Sequence, residues 1–297
     1  YADQFFPGTS VLHTRLRYAL LIPWLYQSLR TKRPVPKDFG QAFSDLEHEL
    51  TGRLKYVEGV GGEKDGVIGG EVFPRTISQP PAYVYWTALT KWGLIGARPD
   101  GRPWSRSDMA KLLAASSKRA HHDDDGKPLE TVTWPIAGLI DAPKGWDTWG
   151  DWNDRYSKDD QGKLALDLLP QEQIYLATKL RAVRSPTDPS EPSLLSKLVG
   201  KSLGEADHCW DNEILALAGR EEAMLKRAGQ AAALSAIGRA IYAAQVETLK
   251  ETRDKRPQPN LHRAALNDAI EQWGKQAARL DMDLFLAEIG HLPPAVE

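Results

Sequence analysis

Apolar residues along this chain recur mostly at three- and four-residue spacing, while the strict alternation of a half-buried strand is almost absent. Phe39, Phe43, Leu46, Leu50, Leu54 and Val57 form the clearest stripe of an amphipathic helix. Tyr83, Trp86, Leu89 and Trp92 form a second, preceded by Pro80-Pro81 and ended by Gly93 and Gly96. Ser10–Lys32 reads as a helix capped by Thr9 or Ser10 and kinked at Pro23. Further helices are predicted from Ser107-Asp108 to about Arg119, over Pro170–Val183 and over Ser193–Val199. Asp211–Arg253 is too long for one ordinary helix and predicts two. A last helix starts at the cap Asn260 and runs to about Glu288. Six glycines between Gly59 and Gly70 require a loop or tight hairpin, and Arg30–Lys37 and Ser185–Pro192 read as linkers. His121–Gln161 has no sustained period and room for one short strand at Glu130–Trp134. The pattern predicts a mainly α, multi-helical fold with at most a small β-hairpin near the glycine-rich loop. It divides into an N-terminal helical domain over 1–120, winged-helix-like at 59–106, a Trp/Asp-rich connecting segment over 121–161, and a C-terminal helical domain over 162–297. No internal repeat is found.

Composition narrows the class. The 297 residues are 41% apolar and 26% charged, as in a soluble globular protein, and the length suffices for a buried core. A net charge of −2 gives no overall pull toward nucleic acid or membrane, so any such binding needs a local patch. Cys209 is the only cysteine, which excludes an intrachain disulfide and fits a reducing cytoplasm. It reads as a packed small residue beside Trp210 rather than a nucleophile. The longest apolar run, Ala19–Tyr26, contains Pro23 and is far short of the roughly 20 residues of a membrane span. It follows Arg15 and Arg17 as in a signal peptide, but its aromatics and the lack of a small-residue cleavage site argue against one.

Chemistry-bearing clusters are few. From Gln4 to Lys37 there is no acid, but there are Arg15, Arg17, Arg30, Lys32, Arg33 and Lys37. Such a cluster can neutralise phosphates, and Arg suits bidentate phosphate contacts. Arg15 and Arg17 lie two apart, so at most one faces a given ligand; pairing with carboxylates elsewhere in the fold is the competing reading. The aromatic helix before Arg98, Arg102 and Arg106, with Lys91 on its outer face, fits a winged-helix DNA reader, although a core stripe is the commoner use of that spacing. The glycine-rich loop lacks Gly-Lys-Ser/Thr, and Glu63 and Asp65 would repel a phosphate, which leaves a connecting loop.

His121-His122-Asp123-Asp124-Asp125 is the one dense run of metal-type ligands, but contiguous ligands on one loop do not readily converge on an ion. Asp125-Gly126-Lys127 shares the acid-x-lysine spacing of restriction-type nucleases without the strand that would position it. Trp134, Trp146, Trp149 and Trp152, near Asp141, Asp147, Asp151 and Asp154, suit an anchor or a protein interface better than a sugar or base pocket. Ala228–Ala244 is rich in Ala, Gly and Ser and predicts a helix threaded through the core or packed closely on another; Arg227, Gln230 and Arg239 exclude a membrane span. Glu247–Arg256 reads as a solvated helix end. No nucleophile elbow, zinc-protease helix, dinucleotide loop or paired-cysteine site is present.

Phe5-Phe6-Pro7-Gly8-Thr9-Ser10, running into Thr14-Arg15-Leu16-Arg17-Tyr18 and Ile22-Pro23-Trp24, resembles the opening of a family of bacterial proteins of unknown function. Gly66-Val67-Ile68-Gly69, Tyr83-Val84-Tyr85-Trp86, Trp92-Gly93-Leu94, Ser193-Leu194-Leu195 and Gly238-Arg239-Ala240-Ile241-Tyr242 are similar to later stretches of that family. The resemblance supplies no catalytic residues and no cofactor. It implies a further segment ahead of the turn, in keeping with a chain that begins at Tyr1 rather than Met, and it points to bacterial genome-defence neighbourhoods. The expectation is a non-enzymatic, cytoplasmic subunit or adaptor of a bacterial multi-protein system, engaged with DNA in antiphage defence. Its partners would be other proteins of the assembly and DNA, with no membrane. A metal-dependent nuclease or other hydrolase using residues 121–125, and a stand-alone DNA-binding regulator acting through 80–106, are the alternatives.

Overall fold

The computed structural model describes residues 1–55, 65–117, 134–136, 138–143, 164, 166–204, 206–255, 257 and 259–290. Of these, 60% are helical and 1% strand, with no sheet, so the mainly α expectation holds. Two compact units form, one of residues 2–199 and one of residues 200–297 together with Tyr1.

The first unit opens with the short α1 (Ala2–Phe5) and is built around α2 (Tyr18–Thr31), which packs on α3 (Phe39–Lys55), α4 (Pro81–Lys91) and α5 (Arg106–Ser117). Tyr18 to Tyr26 and Leu29 are all buried, as a helix apolar on every side must be. The helix begins at Tyr18, later than the expected Ser10. Upstream, Thr9 Oγ1 donates to the Phe6 carbonyl, Leu12 N donates to Ser10 Oγ, and Thr14 Oγ1 donates to the Gly66 carbonyl. Hydroxyl side chains bonded in this way compete with a helix and hold the segment as turns. On α3 the expected stripe from Phe39 to Leu54 is buried; Val57 lies outside the described residues.

On α4 the expected stripe faces the core except at Tyr83, with Trp86 partly buried against the core cluster. Ala82, Tyr85, Ala88, Leu89 and the following Trp92 face the core, while Tyr83 is 50% exposed. Small residues decide this, because they let neighbouring backbone approach. Gly8, at φ +79°, lies so close that a Cβ there would stand 3.0 Å from Ala88 Cα.

The boundary expected at 121–161 falls mostly outside the described residues, and residues 166–199 belong with the first unit. Leu176, Leu180 and Val183, on and just after α6 (Pro170–Arg181), join the core of α2. Glu172 of α6 meets Arg17 at 2.8 Å, with 2% and 0% of the two side chains exposed. Ser185–Pro192 is no open linker. Ser185 N donates to the Glu191 carbonyl, Ser193 N donates to the Val183 carbonyl, and Ser193 Oγ caps α7 (Leu194–Leu198) by accepting from Ser196 N. Residues 65–80 form turns, so the described part of 59–106 contains neither hairpin nor wing.

In the second unit, α8 (Asn212–Ala218) breaks at Gly219, φ +61°, and a short 3-10 turn leads into α9 (Glu222–Asp254). The two helices expected over 211–253 are therefore present. At 33 residues α9 is about 50 Å long. It pairs antiparallel with α10 (Leu261–Ala277): Gly229 lies beside Gln276, and Glu247 accepts from Leu261 N and Arg263 N, capping α10. The expected last helix is two, because Asp281 caps a separate α11 (Met282–Ile289) through Leu284 N. Arg227 of α9 pairs with Glu288 of α11 and holds that carboxyl below the usual carboxylate range.

Candidate functional site

The opening segment is a structural insert. Trp92 Nε1 donates to the Pro7 carbonyl at 2.9 Å, and the His13 ring stacks on Tyr85 with centroids 4.2 Å apart. Arg15 N donates to Tyr85 Oη at 3.0 Å, and Tyr85 Oη donates to the Arg15 carbonyl at 2.8 Å. Ile68 N donates to Tyr18 Oη at 3.1 Å. The stretches at 5–18, 66–69, 83–86 and 92–94 thus meet one another through hydrogen bonds between aromatic side chains and the main chain, and through aromatic packing. Residues 1–120 match the model of a family of unknown function, DUF6361. The expected kinship with a family of unknown function is therefore found over that span. No curated protein and no solved structure matches the chain.

The basic residues of the opening separate into two groups. Arg17 is enclosed in its pair with Glu172, so it faces no ligand. Arg15 is exposed and lies along the turn at 65–66, its Nε donating to the Asp65 carbonyl. Arg30 places its guanidinium over Trp134, 4.9 Å from the ring centroid. Lys32, Arg33 and Lys37 are exposed just beyond the C-terminus of α2, where cations are favoured by the helix dipole. Lys91 is exposed in the last turn of α4.

The basic trail after α4 is largely paired. Arg98 meets Asp108 at 3.0 Å and Asp100 at 3.3 Å, Arg102 meets Asp100 at 2.7 Å, and Arg106 lies over Tyr83. His121–Asp125, Trp146, Trp149, Trp152, Asp147, Asp151 and Asp154 lie outside the described residues, while Asp141 is exposed. Among the described residues there is no group of three or more His, Cys, Asp or Glu suited to a metal, and no helix long and apolar enough to cross a membrane. Cys209 is exposed, not packed as expected.

The strongest unassigned surface is on α9. Leu225, Gly229, Ala233, Ala244 and Glu247 form its buried face. Leu234, Ile241, Tyr242 and Leu249 stand in solvent, Tyr242 at 71% and Leu249 at 67% exposure. Their seven- and eight-residue spacing puts them on one side of the helix, two turns apart. Gly238, between them, has nothing within 4 Å of where its Cβ would be. Ala228–Ala244 therefore packs one face closely on α10, as the helix-on-helix reading expected, and leaves another open rather than being threaded through a core. The signal was present in the spacing of the four large residues, hidden by the small ones around them.

Proposed function

We propose that the protein is a non-catalytic adaptor subunit that docks a protein partner along the exposed stripe of α9. The observation that carries this is the row Leu234, Ile241, Tyr242 and Leu249, solvent-facing on a long helix whose other face packs on α10. Large apolar anchors two turns apart are what helix-in-groove recognition uses, and buried Tyr is favoured at interface hot spots. Engagement with DNA in antiphage defence follows the family resemblance. Arg15, Lys32, Arg33, Lys37 and Lys91 are the exposed cations for phosphate contacts.

The test is affinity purification of the full chain from its native host, with and without nuclease, followed by mass spectrometry. Wild type is expected to retain a protein partner through nuclease treatment, and Ile241→Asp/Tyr242→Asp to lose it with helicity unchanged. A bare protein in both arms overturns the adaptor reading. Charge reversal at Lys32, Arg33 and Lys37 is expected to weaken DNA binding and flatten its salt dependence; an unchanged slope removes the DNA component alone.

A further inference from the structure

A cleft of about 230 Å³ opens between α3 and the start of α4, lined by Ser44, Glu47, His48, Arg75, Ile77 and Pro81 among others. Its floor is unusual. Glu47 is 2% exposed and has no ion-pair partner among the described residues. Its Oε1 accepts the Ala82 N–H at 2.7 Å. With Pro80 and Pro81 leading into α4, that N–H is the first main-chain donor the helix has, and Glu47 caps it from a different helix.

We propose that this cleft binds a guanidinium group on a short stem, held by the Glu47 carboxylate. Four observations select that chemistry. The volume is below the about 300–1,000 Å³ of pockets for drug-sized ligands, so the occupant is the size of one side chain and not a nucleotide. An anion is disfavoured, because Glu47 already takes the leading N–H of α4 and, once ionised, repels a second negative group. Glu47 keeps acceptor capacity beyond that one bond, and a planar N–H fork matches a carboxylate in plane. Ile77, Pro80 and Pro81 offer apolar walls for a stem, while exposed Arg75 can meet a carboxylate beyond it. Free arginine and an arginine within a partner's chain share this chemistry. The site is independent of the α9 surface.

Burial pushes the Glu47 carboxyl up to about 7, against the opposing effects of the Ala82 hydrogen bond and the Arg106 charge. The other titratable groups around it are Tyr18 and Tyr26 of α2, His48 of α3 and Arg75 of the preceding turn. Guanidinium keeps its charge throughout, so binding follows the ionisation of Glu47 and strengthens as pH rises.

Calorimetric titration of the full chain with L-arginine and with N-acetyl-L-arginine amide tests this at pH 6 and pH 8. The expected result is binding about tenfold tighter at pH 8, from the change in ionised fraction across a value near 7. Preference for the free amino acid identifies a small-molecule site, and preference for the capped form a partner's side chain; either supports the proposal. Glu47→Gln, which retains an acceptor for Ala82 N, is expected to lose at least about tenfold in affinity and the pH dependence. Ser44→Phe, at an exposed rim position, is expected to block binding with the fold intact. No binding of either probe at millimolar concentration, or full affinity in Glu47→Gln, overturns it.

Discussion

Glu47→Gln should stabilise the protein at pH 8 by about 3 kcal/mol relative to its effect at pH 4. In the unfolded chain this carboxyl titrates at its ordinary value of 4.5, while in the fold burial holds it at about 7. Between those values the folded state keeps a proton that the unfolded state has released. Stability therefore falls as pH rises, by about 1.4 kcal/mol for each pH unit. From 4.5 to about 7 the loss accumulates to about 3 kcal/mol; it is absent below 4.5 and complete above 7. Gln can accept the Ala82 N–H as Glu47 does, but it has no charge to desolvate, so the variant escapes the loss. Urea unfolding of both proteins at pH 4, 6 and 8 gives the difference, in which all other titrating groups cancel. Hydrogen exchange at the α2 and α4 amides reads the unit of residues 2–199 separately, since a chain of two units need not unfold in one step. A difference between the two proteins that is equal at pH 4 and pH 8 would mean that burial does not hold a proton on Glu47 in the folded state.

Three further outcomes follow from the packing. Arg17→Ala leaves the Glu172 carboxylate buried without its partner and should cost about 3–5 kcal/mol in urea unfolding. Gly8→Ala places a methyl 2.9 Å from Lys91 Cβ and 3.0 Å from Ala88 Cα, at a backbone conformation that suits glycine; a loss of about 1–3 kcal/mol is expected in thermal melts. Asp281→Ala removes the cap on α11 and should cost about 1 kcal/mol, read as faster amide exchange over 282–289.

The stripe on α3 was legible because its spacing is a local property, and Glu47 sits in the middle of it, between Phe43 and Leu50, where an acid is out of place. That position was the available signal for the cleft. Arg17 shows the opposite case. A run of cations without an acid looks like a phosphate surface until Glu172, 155 residues away, is brought to one of them. On α4 only Tyr83 of the expected stripe was misjudged, because its apolar content outweighs that of Ala82 and Ala88, whereas close packing favours the small residues.

The helical class, most helix positions, the division of 211–253 into two helices and the kinship of the opening segment were legible in local pattern, because spacing, glycine and proline act over one or two turns. Five features became visible only once the chain was folded: residues 10–17 are turn rather than helix, residues 166–199 belong with the first unit, Arg17 is enclosed, Gly219 breaks the helix before α9, and α9 leaves one face in solvent. Burial and pairing depend on groups distant along the chain, and no local pattern encodes which of them will meet.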